Sequence, residues 1–81
     1  MGIMRTLSRR GDDRVTWDTE KFTVGDPEAE AAVREAEHIF KDARSRGCSA
    51  FKVNTDKTTT RIESFDPLAD QIILVPRIIG G

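Results

Sequence analysis

Near its carboxyl end the chain carries one uninterrupted apolar run, Ile72-Ile73-Leu74-Val75, closed by Pro76. Three of these four residues are β-branched, a composition that suits a strand buried in the middle of a sheet. Pro76 has no backbone donor and a fixed φ, so the ladder ends there and the chain leaves the sheet as a short tail. A central strand needs a neighbour on each side and a layer across it. The rest of the 81 residues must supply both, and with 37% apolar content, four Phe and one Trp they can build one domain around one modest core.

The helix that covers the sheet is the clearest local signal. In Gly25-Asp26-Pro27-Glu28, Asp26 is placed to cap free backbone donors, Pro27 suits the first helical position, and Glu28 and Glu30 complement the positive end of the helix dipole. From there Ala29, Ala32, Val33, Ala36, Ile39, Phe40 and Ala43 recur at three- and four-residue spacing, which traces one apolar stripe. Gly47 is the expected left-handed stop, with Cys48 folding back onto the last turn.

Strand signals flank that helix. Residues 3–8 alternate, Arg9-Arg10-Gly11-Asp12-Asp13 reads as a turn, and Val15 and Trp17 resume the alternation, which predicts an amino-terminal hairpin. Residues 19–24 are expected either to extend its second strand or to pack as a loop through Phe22 and Val24. After the helix, residues 49–54 alternate again with Phe51 and Val53 on one face, and the polar, threonine-rich residues 58–63 suit an edge strand. In the connection that follows, Phe65 and Leu68 are expected to turn inward. The predicted order is strand, strand, helix, strand, short strand, buried strand, with the last paired to the first.

Charge and chemistry narrow the function. Thirteen basic against fourteen acidic residues leave a net charge of −1, so no global field draws the chain to nucleic acid or to a membrane. No apolar stretch is long enough to span a bilayer, and the chain reads as cytoplasmic. One cysteine, Cys48, and one histidine, His38, exclude an internal disulfide and a Cys/His metal cluster. No nucleophile with a base, no paired carboxylates and no phosphate-binding glycine loop is evident, so the chain is expected not to be an enzyme and to bind no cofactor. Met1-Gly2-Ile3-Met4-Arg5-Thr6 fits the loose myristoylation pattern, but reads more simply as the start of the first strand.

The tail, Arg77-Ile78-Ile79-Gly80-Gly81, ends in two residues without side chains. Together with the order of elements, it resembles the ubiquitin-like modifiers and the related bacterial sulfur carriers, and within them a prokaryotic ubiquitin-like protein. The resemblance implies a β-grasp fold: a mixed four- to five-stranded sheet with one helix across one face, formed by residues 1–76, and a flexible tail over residues 77–81. It implies further that the carboxylate beyond Gly80 and Gly81 is adenylated by a partner enzyme that uses ATP. The product is then conjugated to target amines by conjugating enzymes, or converted to a thiocarboxylate by a sulfurtransferase. Arg77, Ile78 and Ile79 would be the tail residues such partners read. The chain departs from ubiquitin's more basic and more open tail in having Pro76 and two isoleucines.

Two other readings stand beside this one. In the first, the chain is a β-grasp interaction module whose exposed sheet face binds a protein. In the second, Arg5, Arg9, Arg10 and Arg14, gathered by the hairpin, form a basic patch for nucleic acid or an acidic partner. The nucleic-acid version lacks aromatic residues interleaved with the arginines to stack on bases.

Overall fold

In the computed structural model, which describes residues 1–8 and 11–76, the chain opens with the antiparallel pair β1 (Gly2–Ser8) and β2 (Gly11–Trp17). The register is unbroken from Gly2 opposite Trp17 to Ser8 opposite Gly11. Met4 is fully buried while its neighbours Ile3 and Arg5 are only half-buried, so the even-numbered side of β1 faces the core. Gly2 lies beneath the indole of Trp17, closely enough that a Cβ there would overlap the ring.

A short helix follows. In α1 (Thr19–Thr23) the Asp18 side chain accepts the Lys21 N–H at 3.0 Å, and the Thr23 hydroxyl donates to the Thr19 carbonyl at 2.9 Å. The strand extension or loop expected for residues 19–24 is therefore replaced by one turn of helix. Phe22 packs against the core, whereas Val24 is 81% exposed. Gly25, at φ 81°, takes a left-handed conformation that directs the chain into the main helix.

That helix, α2 (Pro27–Ser45), begins at the proline that predicts it. Asp26 precedes it, yet its side chain makes no capping bond; instead its backbone carbonyl accepts the Glu30 N–H at 2.9 Å. Pro27 has no N–H to satisfy, which lowers the demand for a cap at that turn. At the other end Gly47 (φ 93°) donates to the Arg44 carbonyl at 3.0 Å and Cys48 donates to the Ala43 carbonyl at 3.0 Å. These are the paired bonds of a Schellman stop. Ala29, Val33, Ala36, Phe40 and Ala43 are buried along the predicted stripe, with Ala32 and Ile39 at its borders.

β3 (Ser49–Val53) and β4 (Thr59–Ile62) form a second antiparallel pair, joined by a turn in which Lys57 takes φ 69°. β5 (Gln71–Val75) then enters between the two hairpins, parallel to β1 and antiparallel to β3. The mixed five-stranded sheet has the order β2-β1-β5-β3-β4. The apolar run thus occupies the centre, and its pairing with the first strand is as expected.

The core lies between this sheet and α2. Phe40, Met4, Ile72 and Leu74 are its largest fully buried side chains, and Ala36 on the helix and Ala50 on β3 are buried to the same degree. Small residues on both layers let the helix lie close to the sheet, and the larger side chains fill the space around them. The connection from β4 to β5 closes one end. Phe65 packs between Trp17 and Phe40, with ring centroids 5.3 and 5.8 Å away. The Trp17 indole N–H donates to the Pro67 carbonyl at 2.8 Å. Phe65 turns inward as expected, but Leu68 is 61% exposed and Ala69 takes the inward place. A turn is responsible: an Asp66 carboxylate oxygen accepts the Leu68 N–H at 3.0 Å, and the Asp66 carbonyl accepts the Ala69 N–H at 3.2 Å.

Candidate functional site

The five tail residues singled out from the sequence, Arg77, Ile78, Ile79, Gly80 and Gly81, lie outside the described residues, as do Arg9 and Arg10. What is described is the root of the tail. Val75, at the end of β5, pairs with Ser49, while Leu74 is held between Thr6 and Ala50. Pro76 follows, exposed. The tail therefore springs from the strand with a neighbour on each side, which is the most firmly held position a sheet offers.

The sheet has two unlike faces. The helix side carries Met4, Ala50, Ile72 and Leu74, all fully buried. On the other side the register aligns one residue from every strand in a single row: Arg14, Arg5, Ile73, Phe51 and Arg61. Arg14 and Arg61 are exposed; Arg5, Ile73 and Phe51 are half-buried. The row beside it reads Thr16, Ile3, Gln71, Val53 and Thr59. Arg5 and Arg14, named in the sequence as members of a basic patch, are thus brought opposite each other. The third cation of the row, Arg61, went unrecognised. Its alternation within β4 was legible, but which strands it would join across is a matter of long-range register, which local pattern does not contain.

On the helix side a groove of about 530 Å³ runs between α2 and the β4–β5 connection, lined by Phe22, Val33, Phe65 and Pro67 and edged by Glu30, Arg34 and Glu37. Nearby, Lys52 on β3 reaches Asp66 at 3.2 Å, which ties the connection to the sheet. With both side chains about a third exposed, this ion pair is worth roughly 1 kcal/mol or less.

The remaining chemistry is local. His38 is exposed on α2, and Cys48 is half-buried with its carbonyl accepting from the Arg44 guanidinium at 3.1 Å. Among the described residues no three His, Cys, Asp or Glu side chains are grouped so as to hold a metal ion. Among the described residues two carboxylates are perturbed, Asp18 at the cap of α1 and Asp56 in the β3–β4 turn. Asp18 titrates below its ordinary value of 3.8, chiefly because the Lys21 N–H is bonded to its ionised form. Asp56 does likewise through the Thr58 hydroxyl at 2.6 Å and the Thr58 N–H at 3.1 Å. Among the described residues no helix is long and apolar enough to cross a membrane.

Compared with known proteins, the chain matches no family model, no curated protein and no solved structure.

Proposed function

We propose that the chain is a ubiquitin-like protein of the β-grasp class whose working part is the carboxylate of its Gly80-Gly81 tail. The observation that supports this reading is the sheet order β2-β1-β5-β3-β4, with α2 across one face and the tail issuing from the central strand. Pro76 directly follows the central strand, so a partner enzyme can hold the domain while it works on the residues beyond. Two glycines leave no side chain to obstruct a narrow catalytic channel. The carboxylate is activated by adenylation at the expense of ATP, which the partner enzyme binds. It is then passed to an amine of a target protein or, in the sulfur-carrier version, receives sulfur as a thiocarboxylate. The chain itself catalyses neither step.

Intact mass spectrometry of the protein recovered from its host tests this directly, with a variant carrying one residue appended after Gly81 as the control. The expected result is an adduct or a thiocarboxylate at Gly81 that is missing from the extended variant. Each protein appearing only at its own unmodified mass, under growth and under stress, would defeat the proposal. A second reading, a β-grasp interaction module that is never activated, is favoured by the row of arginines and apolar residues on the uncovered sheet face. For that protein the appended residue changes nothing.

A further inference from the structure

We propose that the groove beside α2 is the contact surface for a second copy of this chain, met as an antiparallel, two-fold symmetric pair. Glu30, Arg34, Glu37 and Lys41 follow one another at four-, three- and four-residue spacing, so they form one stripe about 16 Å long on a flank of the helix. Their signs alternate: negative, positive, negative, positive. Taken from the other end, the stripe is positive, negative, positive, negative. A two-fold axis crossing α2 between Glu35 and Ala36 therefore sets Glu30 against Lys41 of the second copy and Arg34 against Glu37, each pair occurring twice. In a parallel pair held in register, every charge would meet its own kind. The chain itself carries the order of charges that the groove requires of a partner.

Within one copy these charges are weakly engaged. Lys41 and Glu37 approach only to 3.9 Å, with side chains 73% and 44% exposed, and such a pair contributes little. Glu30 and Arg34 form no ion pair among the described residues, although their spacing allows one. Beside the stripe lies the apolar floor of Phe22, Val33, Phe65 and Pro67, and a hollow of about 220 Å³ continues it past Glu37 to Phe40 and Arg44. The chain that builds this floor also leaves apolar side chains in water: Val24, two residues after Phe22, is 81% exposed and Leu68, next to Pro67, is 61% exposed. The two-fold axis turns the grooves of the two copies toward each other, which removes this surface from water. A net charge of −1 sets up little long-range repulsion between copies. The face is small for a permanent dimer, so association is weak and depends on concentration. It involves neither the tail nor its activation.

Sedimentation equilibrium of the full-length protein from micromolar to millimolar concentration, with ¹⁵N amide spectra over the same range, tests this. The parent is expected to approach twice its monomer mass at the highest concentration, with amide shifts centred on residues 22, 30–41 and 65. Association should weaken several-fold between roughly 50 and 300 mM salt. Two double variants decide the pairing. Arg34→Glu with Lys41→Glu makes the stripe wholly acidic, and Glu30→Lys with Glu37→Lys makes it wholly basic. Each should keep the circular dichroism of the parent and stay monomeric, while an equimolar mixture should associate at least about tenfold more tightly than either variant does with itself. The exchange Arg34→Glu with Glu37→Arg keeps the complementary order and should dimerise as the parent does, which separates loss of charge pairing from loss of fold. A protein lacking Gly80 and Gly81 should dimerise as the full chain does, so this surface and the function of the tail can fail independently. The proposal is overturned if the parent stays monomeric at millimolar concentration, which assigns the groove to another occupant. It is overturned equally if the acidic and basic variants do not associate when mixed, if the exchange variant is monomeric, or if the shifts fall on the helix-free face of the sheet.

Discussion

At the scale of the residue, stability at the amino-terminal end rests on Gly2 beneath the Trp17 ring. Because a Cβ would overlap the indole, Gly2→Ala must displace Trp17, and with it the hydrogen bond to Pro67 and the contact with Phe65. The expected loss is about 1–3 kcal/mol, read as a lower urea midpoint with an unchanged slope. The same crowding leaves Gly2 buried at the start of β1, in keeping with the strand reading of residues 1–6. The two aspartates that precede the helices provide a sharper contrast. Asp18 caps α1 through its side chain and Asp26 does not cap α2, so Asp18→Ala should lower the melting temperature measurably while Asp26→Ala should stay within about 0.5 kcal/mol of the parent. From local sequence alone the opposite ranking is expected.

Asp18 and Asp56 contribute to the response to acid. Asp18 and Asp56 have folded-state values below the ordinary 3.8, so the unfolded chain binds protons first as the pH falls. Their contribution is complete above that value and is lost as the pH drops through the depressed folded values. The melting temperature should therefore be nearly flat from about pH 7 to 5 with respect to these groups and decline below about pH 4. A double variant, Asp18→Asn with Asp56→Asn, should show a shallower decline in the same acid titration followed by circular dichroism.

At the scale of the element, α2 was legible in extent because the proline at its start, the stripe and the Gly47 stop agree, although the side-chain cap expected of Asp26 is not made. α1 was not. Five residues are too few to display a helical period, and Phe22 and Val24, two apart, mimic a strand. The one signal available was Asp18, an N-cap residue three positions before a free backbone donor. Leu68 escaped for a similar reason: hydrophobicity said inward, but the Asp66 turn decided otherwise. Within α2 the bulky end of the stripe carries most of the packing. Phe40 is 1% exposed and meets Phe65 edge-on, so Phe40→Ala should cost about 3–5 kcal/mol. For a domain of this length that is a large part of the total, and thermal unfolding should show either a much lower midpoint or no cooperative transition at all.

At the scale of the whole molecule, the central place of β5 was readable from one apolar run, since a strand with so little polarity has no other stable position in a small sheet. The row of residues on the helix-free sheet face was readable only in part. Sequence offered Arg5 and Arg14 as neighbours across a hairpin but gave no way to know that Ile73, Phe51 and Arg61 would fall in line with them. The proposed functional tail remains a statement about sequence, because its residues lie beyond those described.

The parallel pairing of β1 with β5 has a mechanical consequence. The two strands nearest the chain's ends lie side by side and run in the same direction, in register from Ile3 opposite Gln71 to Thr6 opposite Leu74. A force applied to the two ends pulls them past each other along their length, so the rungs between them are loaded together and not opened one after another. A machine that unravels proteins from one end would have to break that whole clasp in a single event, and extraction would be limited by the rate at which it yields. Pulling instead across the open end of the β1–β2 pair, through Gly2 and Trp17, would separate the strands rung by rung at a much lower force in a single-molecule experiment.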